Sequence, residues 1–173
     1  GTSAATTGTD TGGGTTTVVT LDNESPASPS SASGEVTPSK NFMITYYHAT
    51  TVDATSTVIL RATSQVTDAP VEGVSYSAGN TIGAATVVCV NNNITLGGQA
   101  TCTDTTAARS TNYYYKLFTK DNAGNYSTGF SPTGLPFYIP SPKASPIFFF
   151  EAESQNGATT TQTGGGVTGG GAG

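Results

Sequence analysis

One histidine and the residues near it are the first place in this chain where chemistry could occur. His48 is the only histidine, and it follows Tyr46 and Tyr47. Paired with Asp53 and a nearby serine, it would act as the base of a hydrolase, because such a histidine takes the proton of a serine nucleophile. The chain has no G-x-S-x-G motif to present that serine. We therefore expect His48 to be a half-exposed structural residue at a strand end.

Acidic residues and glycine runs suggest three other kinds of site. Glu151 and Glu153 resemble a glycosidase pair, but two residues apart they point to the same side of a strand and have no groove for a sugar. Residues 121–125 offer oxygen ligands to calcium but lack the D-x-D-x-D-G spacing and the distal glutamate. The glycines at 12–14 and 164–166 are not followed by the lysine of a phosphate loop. We predict no catalytic residue, metal or cofactor.

The two cysteines are the remaining reactive residues. Cys89 and Cys102 flank residues 90–101, whose Asn-rich and Gly-rich composition is typical of a connection between adjacent strands. This spacing predicts a hairpin closed by a disulfide, with two buried reduced thiols as the alternative. A metal site would need more ligands, and the chain has no CxxC motif. A disulfide would stabilise the fold by about 3 kcal/mol and is typical of an oxidising compartment.

The composition excludes some partners. Charged residues make up 10% of the chain and the net charge is -5, with only 6 basic residues, so a nucleic-acid partner is not expected. The longest apolar run, residues 147–150, is far shorter than the about 18 residues of a membrane span. The chain lacks an initial methionine and a signal-peptide pattern. We expect a processed or excised exported protein located outside the cell or on its surface.

A strand must position most of these residues, and residues 111–127 show its pattern most clearly. Side chains alternate there between two faces, one with Tyr113, Tyr115, Leu117 and Thr119 and the other with Tyr114, Lys116, Phe118 and Lys120. A period of two is the mark of a half-buried strand, and Gly124 indicates a turn after it.

Other short segments repeat this pattern, and none has a helical period. The predicted strands are residues 15–21, 42–49, 56–62, 74–76 and 85–90. In the second of these, Phe42, Ile44 and Tyr46 are expected to face inward. Residues 23–40, rich in Ser and Pro, are predicted to be an extended connection. Six or more strands without helices indicate an all-β antiparallel sandwich of the immunoglobulin-like class.

Residues 41–129 resemble the fibronectin type III domains of exported bacterial proteins. Residues 101–105 are similar to the strand E pattern of that family, and Thr111-Asn112-Tyr113 matches its Thr-x-Tyr. Residues 121–125 look like its turn between strands F and G. The resemblance implies that Tyr113 is a tyrosine corner, whose hydroxyl bonds to the backbone a few residues upstream.

The chain departs from the family at several positions. Tyr46 stands where the family carries a core tryptophan, so a buried Tyr46 hydroxyl would need a partner. Ala107 replaces the usual larger apolar residue before the corner. The cysteines are additions, and strand A is weak and far from strand B.

Three regions are predicted along the chain. Residues 1–14 form a flexible Gly/Thr-rich arm, residues 15–140 the sandwich with its core at 41–129, and residues 141–173 a Pro/Gly-rich extension. The extension contains a possible assembly strand: Ile147, Phe148, Phe149 and Phe150. Because prolines keep it off its own sheet, we expect it, or alternatively residues 15–21, to pair with the sheet edge of another copy.

Two sets of surface residues are candidates for binding or modification. Tyr47, Tyr114 and Phe118 are predicted to face outward and to form a binding face for a glycan or a protein; the alternative is that they cover neighbours in the sheet. Three N-glycosylation sequons begin at Asn23, Asn93 and Asn125.

These observations predict a non-catalytic structural module with an adhesive or scaffolding role. It would be a subunit or segment of a cell-surface fibre or of a large exported protein, assembling by strand pairing and apolar burial. Its partners would be copies of itself or other surface proteins. The alternative is an accessory glycan-binding or spacer module of an exported polysaccharide-acting enzyme.

Overall fold

A computed structural model describes Ala4–Ala5 and residues 20–141, with side chains described for residues 22–141. Every regular element in these ranges is a strand. The chain divides into Gly1–Ser141 and Pro142–Gly173, and the second unit lies outside the described residues. The strand candidate at Ile147 to Phe150, the carboxylates of Glu151 and Glu153, and most of the arm at residues 1–14 are therefore outside the described part.

Two antiparallel sheets pack face to face as a sandwich, as the alternating pattern predicts. The ten strands are β1 (Ala4–Ala5), β2 (Thr20–Leu21), β3 (Ser30–Val36), β4 (Phe42–Tyr47), β5 (Ala54–Ala62), β6 (Thr81–Ile82), β7 (Ala85–Asn91), β8 (Gln99–Asp104), β9 (Asn112–Asp121) and β10 (Phe137–Tyr138). One sheet has the order β3-β4-β8, and the other has the order β10-β9-β5-β7-β6. Strands β1 and β2 pair separately with each other.

The inner core lies between the two sheets. Alternate residues of β4, among them Phe42 and Ile44, meet Tyr115 and Leu117 of β9 there. The Phe42 ring stacks on those of Tyr115 and Phe137, with centroids 5.6 and 4.5 Å apart. Burying each such side chain contributes about 1.5–3 kcal/mol. The prediction that the odd-numbered side of β9 faces inward is correct.

A second core covers the outer face of the five-stranded sheet. Val58, Leu60 and Phe118 point away from the inner core and pack in one cluster with Val66 of the connection that follows β5 and Ile82 of β6. The middle of β5 is consequently buried on both faces, and Ser56 through Leu60 form an unbroken buried run. A sheet covered on both sides needs such continuous runs.

Residues 23–40 and 74–76 differ from the sequence prediction. Residues 23–40 contain β3, which pairs with β4 over Val36↔Phe42, Gly34↔Ile44 and neighbouring pairs. Only Ala32 of β3 is buried, so the strand has no apolar alternation. The predicted strand at 74–76 is wrong, because these residues form no ladder and the Tyr76 hydroxyl accepts a hydrogen bond from the Val71 N–H at 3.1 Å.

The disulfide between Cys89 and Cys102 is present, but it does not close a hairpin. Cys89 lies on β7 of the five-stranded sheet, and Cys102 lies on β8 of the three-stranded sheet. Strand β8 pairs with β4 instead, and Ile44↔Cys102 is one of their pairs. The bond therefore links the two layers of the sandwich.

Candidate functional site

The chain enters and leaves the sandwich at opposite ends of β9. On the entry side, the Asn125 Nδ2 donates to the Asp22 carbonyl at 3.2 Å, just after the C-terminal end of β9. On the exit side, the Ser110 N–H donates to the Ile139 carbonyl at 2.8 Å, just before the N-terminal end of β9. The 10 residues of β9 extend over about 30 Å. This distance separates the two ends of the described sandwich.

The turn at the entry end is held by one carboxylate. Asp121 is 1% exposed, and its Oδ1 accepts the N–H groups of Gly124 and Asn125 at 2.7 and 2.8 Å. Its Oδ2 accepts the Asn125 Nδ2 at 2.8 Å. Gly124 has a φ of 101°, which favours glycine. Residues 121–125 thus form a side-chain-capped turn, as expected from their composition.

Two further carboxylates lie beside Asp121. Asp22, Asp53 and Asp121 each bring one carboxylate oxygen to within 4.8 Å of the others. The Oδ1 of Asp53 is buried and has no hydrogen-bond partner among the described residues. Like charges at this separation repel. The three residues come from separate segments, so no spacing in the sequence indicates that they meet.

His48 is buried, contrary to the prediction of a half-exposed residue. It is 3% exposed, because it points into the sandwich at the end of β4. Its Nδ1 is hydrogen-bonded to Thr57 Oγ1 at 3.0 Å, and its Nε2 lies 3.4 Å from Asn91 Nδ2. Burial lowers the pKa of His48 below its ordinary value. These partners hold a neutral imidazole in the core and include neither Asp53 nor a serine.

The same amide supplies the partner that a buried Tyr46 needs. Asn91 Nδ2 donates to the Tyr46 hydroxyl at 3.3 Å, and the Tyr46 ring meets His48 edge-on at 5.2 Å. Burial raises the pKa of Tyr46. The end of the inner core near the entry side is thus a small polar network.

Tyr113 lies at the exit side of the sandwich. It is 8% exposed, and its hydroxyl accepts a hydrogen bond from the Ala108 N–H at 3.1 Å, five residues upstream. The guanidinium of Arg61 lies over its ring, 4.6 Å from the centroid. A cation over an aromatic face is attracted to the ring electrons. The residue therefore ties the connection before β9 to β5.

Asp104 is the centre of a second buried polar group. Its Oδ2 accepts hydrogen bonds from Arg61 Nη1 at 2.7 Å and from the Tyr115 hydroxyl at 2.9 Å. Its Oδ1 accepts the Thr106 N–H and hydroxyl. Burial alone would raise the pKa of Asp104, but the bonds from Thr106 and the charge of Arg61 lower it. Burial and the neighbouring Asp104 raise the pKa of Tyr115. The hydrogen bond between Tyr115 of β9 and Asp104 of β8 therefore links the two sheets.

The predicted binding face of Tyr47, Tyr114 and Phe118 does not form. Tyr47 is 40% exposed on the three-stranded sheet, whereas Phe118 is 0% exposed in the outer core of the other sheet. Tyr114 is half-buried against that same core. Phe118 points away from the inner core but is not exposed. The long connection after β5 covers Phe118. No local pattern in β9 predicts that this side chain is buried by a remote segment.

The three sequons differ in accessibility. Asn23 and Asn93 are exposed. Asn125 is half-buried, and its Nδ2, the atom that would carry a glycan, donates to Asp22 and Asp121. Glycosylation of Asn125 would replace one of the two N–H groups and so break at least one of these bonds.

The secondary structure of the described residues does not by itself identify an activity. Within the described part of the chain, no helix has the length and apolar character needed to cross a membrane. The chain matches no protein-family model, no curated protein and no solved structure. A role must therefore be inferred from the geometry of the sandwich itself.

Proposed function

We propose that the chain is a non-catalytic extracellular structural module of the fibronectin type III kind, a segment or subunit of a cell-surface fibre or of a large exported protein. The observation that carries this proposal is the placement of Asp22 and Ile139 at opposite ends of β9. A module whose chain enters at one end and leaves at the other acts as a spacer in series with its neighbours. The length of the sandwich then sets the spacing between its two neighbours, and a pulling force passes from one end to the other.

Two observations support the fibronectin type III kind. If β3, β4, β5, β7, β8, β9 and β10 are lettered A, B, C, C′, E, F and G, with β6 as an additional edge strand, the three-stranded sheet has the order A-B-E and the larger sheet the order G-F-C-C′, which is similar to the partition of immunoglobulin-like sandwiches. The hydrogen bond from Ala108 to the Tyr113 hydroxyl has the form of a tyrosine corner.

An extracellular location is supported by the link between Cys89 and Cys102. Disulfides persist in oxidising compartments and are rare where glutathione keeps thiols reduced. The low charged fraction of 10%, with Thr, Ser and Gly in place of Lys and Glu, is compatible with a surface protein.

Assembly is proposed to use an apolar strand and a free sheet edge. Residues 147–150, which lie outside the described part, would add to the edge of another copy. Among the described residues β8 has a neighbour on one side only, which is β4. The other edge of that sheet, β3, carries a register shift between Ser30 and Ser33 and a positive φ at Ser31. Such irregularities discourage pairing, so β8 is the favoured acceptor.

Sedimentation of the full chain over a range of concentrations tests assembly. We expect polymers that grow with concentration and that disappear when residues 147–150 are deleted, because the deletion removes the donor strand. Deleting residues 161–164 of the Gly/Thr tail is the matched control and should leave polymers intact. Polymers that survive loss of residues 147–150, or a full chain that stays monomeric at every concentration, would disprove assembly through this strand.

A further inference from the structure

A cleft of about 310 Å³ lies on the outer side of the five-stranded sheet. Val58 and Val90 of the sheet form one wall, and Ser75 and Tyr76 of the connection after β5 form part of the other. The volume is at the lower end of the range that holds small ligands, about 300–1,000 Å³. It lies on the face of the sheet beside the entry end, where Thr55 Oγ1 donates to the Asp121 carbonyl at 3.0 Å.

Tyr76 gives the cleft a partly exposed aromatic ring, which packs near the buried ring of Tyr126, a residue that is 3% exposed. The centroids of the Tyr76 and Tyr126 rings are 6.2 Å apart. The Tyr126 hydroxyl donates to the Val74 carbonyl at 2.7 Å, and the Tyr76 hydroxyl accepts from the Val71 N–H at 3.1 Å. Because both hydroxyls are held by backbone groups, little side-chain entropy is lost when a ligand packs on the exposed part of the Tyr76 ring.

The polar lining of the cleft includes one cation and no carboxylate. Lys120 is half-exposed, and its Nζ donates to Ser75 Oγ at 2.7 Å and lies 5.9 Å from the Tyr126 centroid. An ammonium has three donors, and the described contacts use one of them. Asn92 and Thr55 add exposed polar side chains at the rim.

We propose that this cleft binds a saccharide that carries a carboxylate. Sugar rings present C–H faces that pack on aromatic rings and hydroxyls that need many hydrogen-bond partners, and the cleft offers both kinds of surface. The carboxylate would accept a charge-assisted hydrogen bond from the remaining donors of Lys120. Glu72, whose Oε2 accepts the Tyr126 N–H at 2.7 Å, opposes an anion from nearby, whereas the more distant charges that make up the net charge of -5 are screened beyond about 8 Å at physiological salt. This binding goes beyond the structural role and does not depend on chain assembly.

NMR titration of the full chain at neutral pH tests the proposal with two matched disaccharides. Cellobiouronic acid carries a carboxylate where cellobiose carries a hydroxymethyl group. We expect the acid to shift backbone amides of the cleft, among them Ser75, Asn92 and Lys120, and to bind about tenfold more tightly than cellobiose. The variant Lys120→Met, which keeps the aliphatic stem, should remove this difference.

Lys116→Met is the control, because Lys116 lies on the same face of β9 but its ammonium lies 5.1 Å from the Phe118 centroid and outside the cleft. It should bind the acid as the unchanged chain does. A spectrum of Lys120→Met with unchanged dispersion shows that the variant is folded. The proposal is overturned if the acid shifts no cleft amide, shifts residues elsewhere, binds no better than cellobiose, or binds Lys120→Met as well as it binds the unchanged chain.

Discussion

Cys89 and Cys102 join the two sheets of the sandwich, with their Cα atoms 6.2 Å apart on strands that are consecutive in the chain but not paired with each other. Cys102 is buried in the inner core, and Cys89 packs against it. Separating the layers therefore requires that this link be stretched or broken. The cross-link restrains the unfolded chain as well, because it closes a loop with a sequence separation of 13.

Replacing both cysteines by alanine should lower the free energy of unfolding by about 3 kcal/mol, the loop-entropy value for a separation of this size. Urea denaturation of the oxidised chain and of the Cys89→Ala/Cys102→Ala variant measures the difference. Reducing the unchanged chain should produce a loss of similar size. A double variant as stable as the oxidised chain would mean that the link contributes nothing.

Removing the Tyr115 hydroxyl should destabilise the fold by about 1.5–3 kcal/mol, because it donates to the buried carboxylate of Asp104. Tyr115→Phe keeps the ring in the inner core, so the change isolates the hydrogen bond. Tyr114→Phe is the control, since the Tyr114 hydroxyl has no hydrogen bond among the described residues. Equal stabilities of the two variants in urea would rule out a contribution from the Asp104 contact.

Stability should fall as pH decreases from about 7 to about 5, because burial lowers the pKa of His48 below 6.5. In that range the unfolded chain binds a proton at His48 that the folded chain does not, so protons favour unfolding. The contribution is complete above the unfolded pKa and is lost as pH falls through the folded pKa. Urea denaturation across this range measures the slope.

The variant His48→Gln should show a shallower pH dependence over that interval. An NMR titration of the His48 ring should give a pKa below 6.5. A ring that titrates above that value, or a chain that becomes more stable on acidification, is incompatible with a neutral imidazole in the core.

Asp53→Asn should stabilise the fold by about 1 kcal/mol, because it removes one of the three charges that lie within 4.8 Å at the entry end. The Asp53 Oδ1 has no hydrogen bond to lose among the described residues. Unfolding should be measured in the presence of a chelator, so that no stray cation offsets the repulsion. Glu35→Gln changes the net charge equally at an exposed position of β3 and should have little effect. If Asp53→Asn is less stable than Glu35→Gln, repulsion among the three carboxylates does not dominate at the entry end.

The strands that face the inner core could be predicted from local pattern alone. In β4 and the first half of β9, buried positions alternate with less buried ones because one face of each strand packs on the opposite sheet. The buried positions of Phe42, Ile44 and Tyr46 follow from this period. Strand β3 could not be found in this way, since its Ser and Gly residues contribute backbone pairing but little apolar area.

Contacts between remote segments account for the other differences. Phe118 is buried in a cluster with Val66 of the connection after β5 and Ile82 of β6, both more than 30 residues away in the sequence. Whether Cys89 and Cys102 close a hairpin or bridge two sheets depends on the pairing of β8 with β4, which local spacing does not specify. The carboxylates of Asp22, Asp53 and Asp121 meet only because three separate segments converge at one end of the sandwich.

The most direct test of a spacer placed in series with its neighbours is the distance between the two ends of the sandwich. Spin labels can be attached through noncanonical amino acids at Asn23 and Ser141, which are both exposed, so that the native disulfide stays intact. Pulsed electron paramagnetic resonance should then give a distance of about 30 Å or more, the length of β9. A distance below about 20 Å would place both ends on one side and contradict the proposed role.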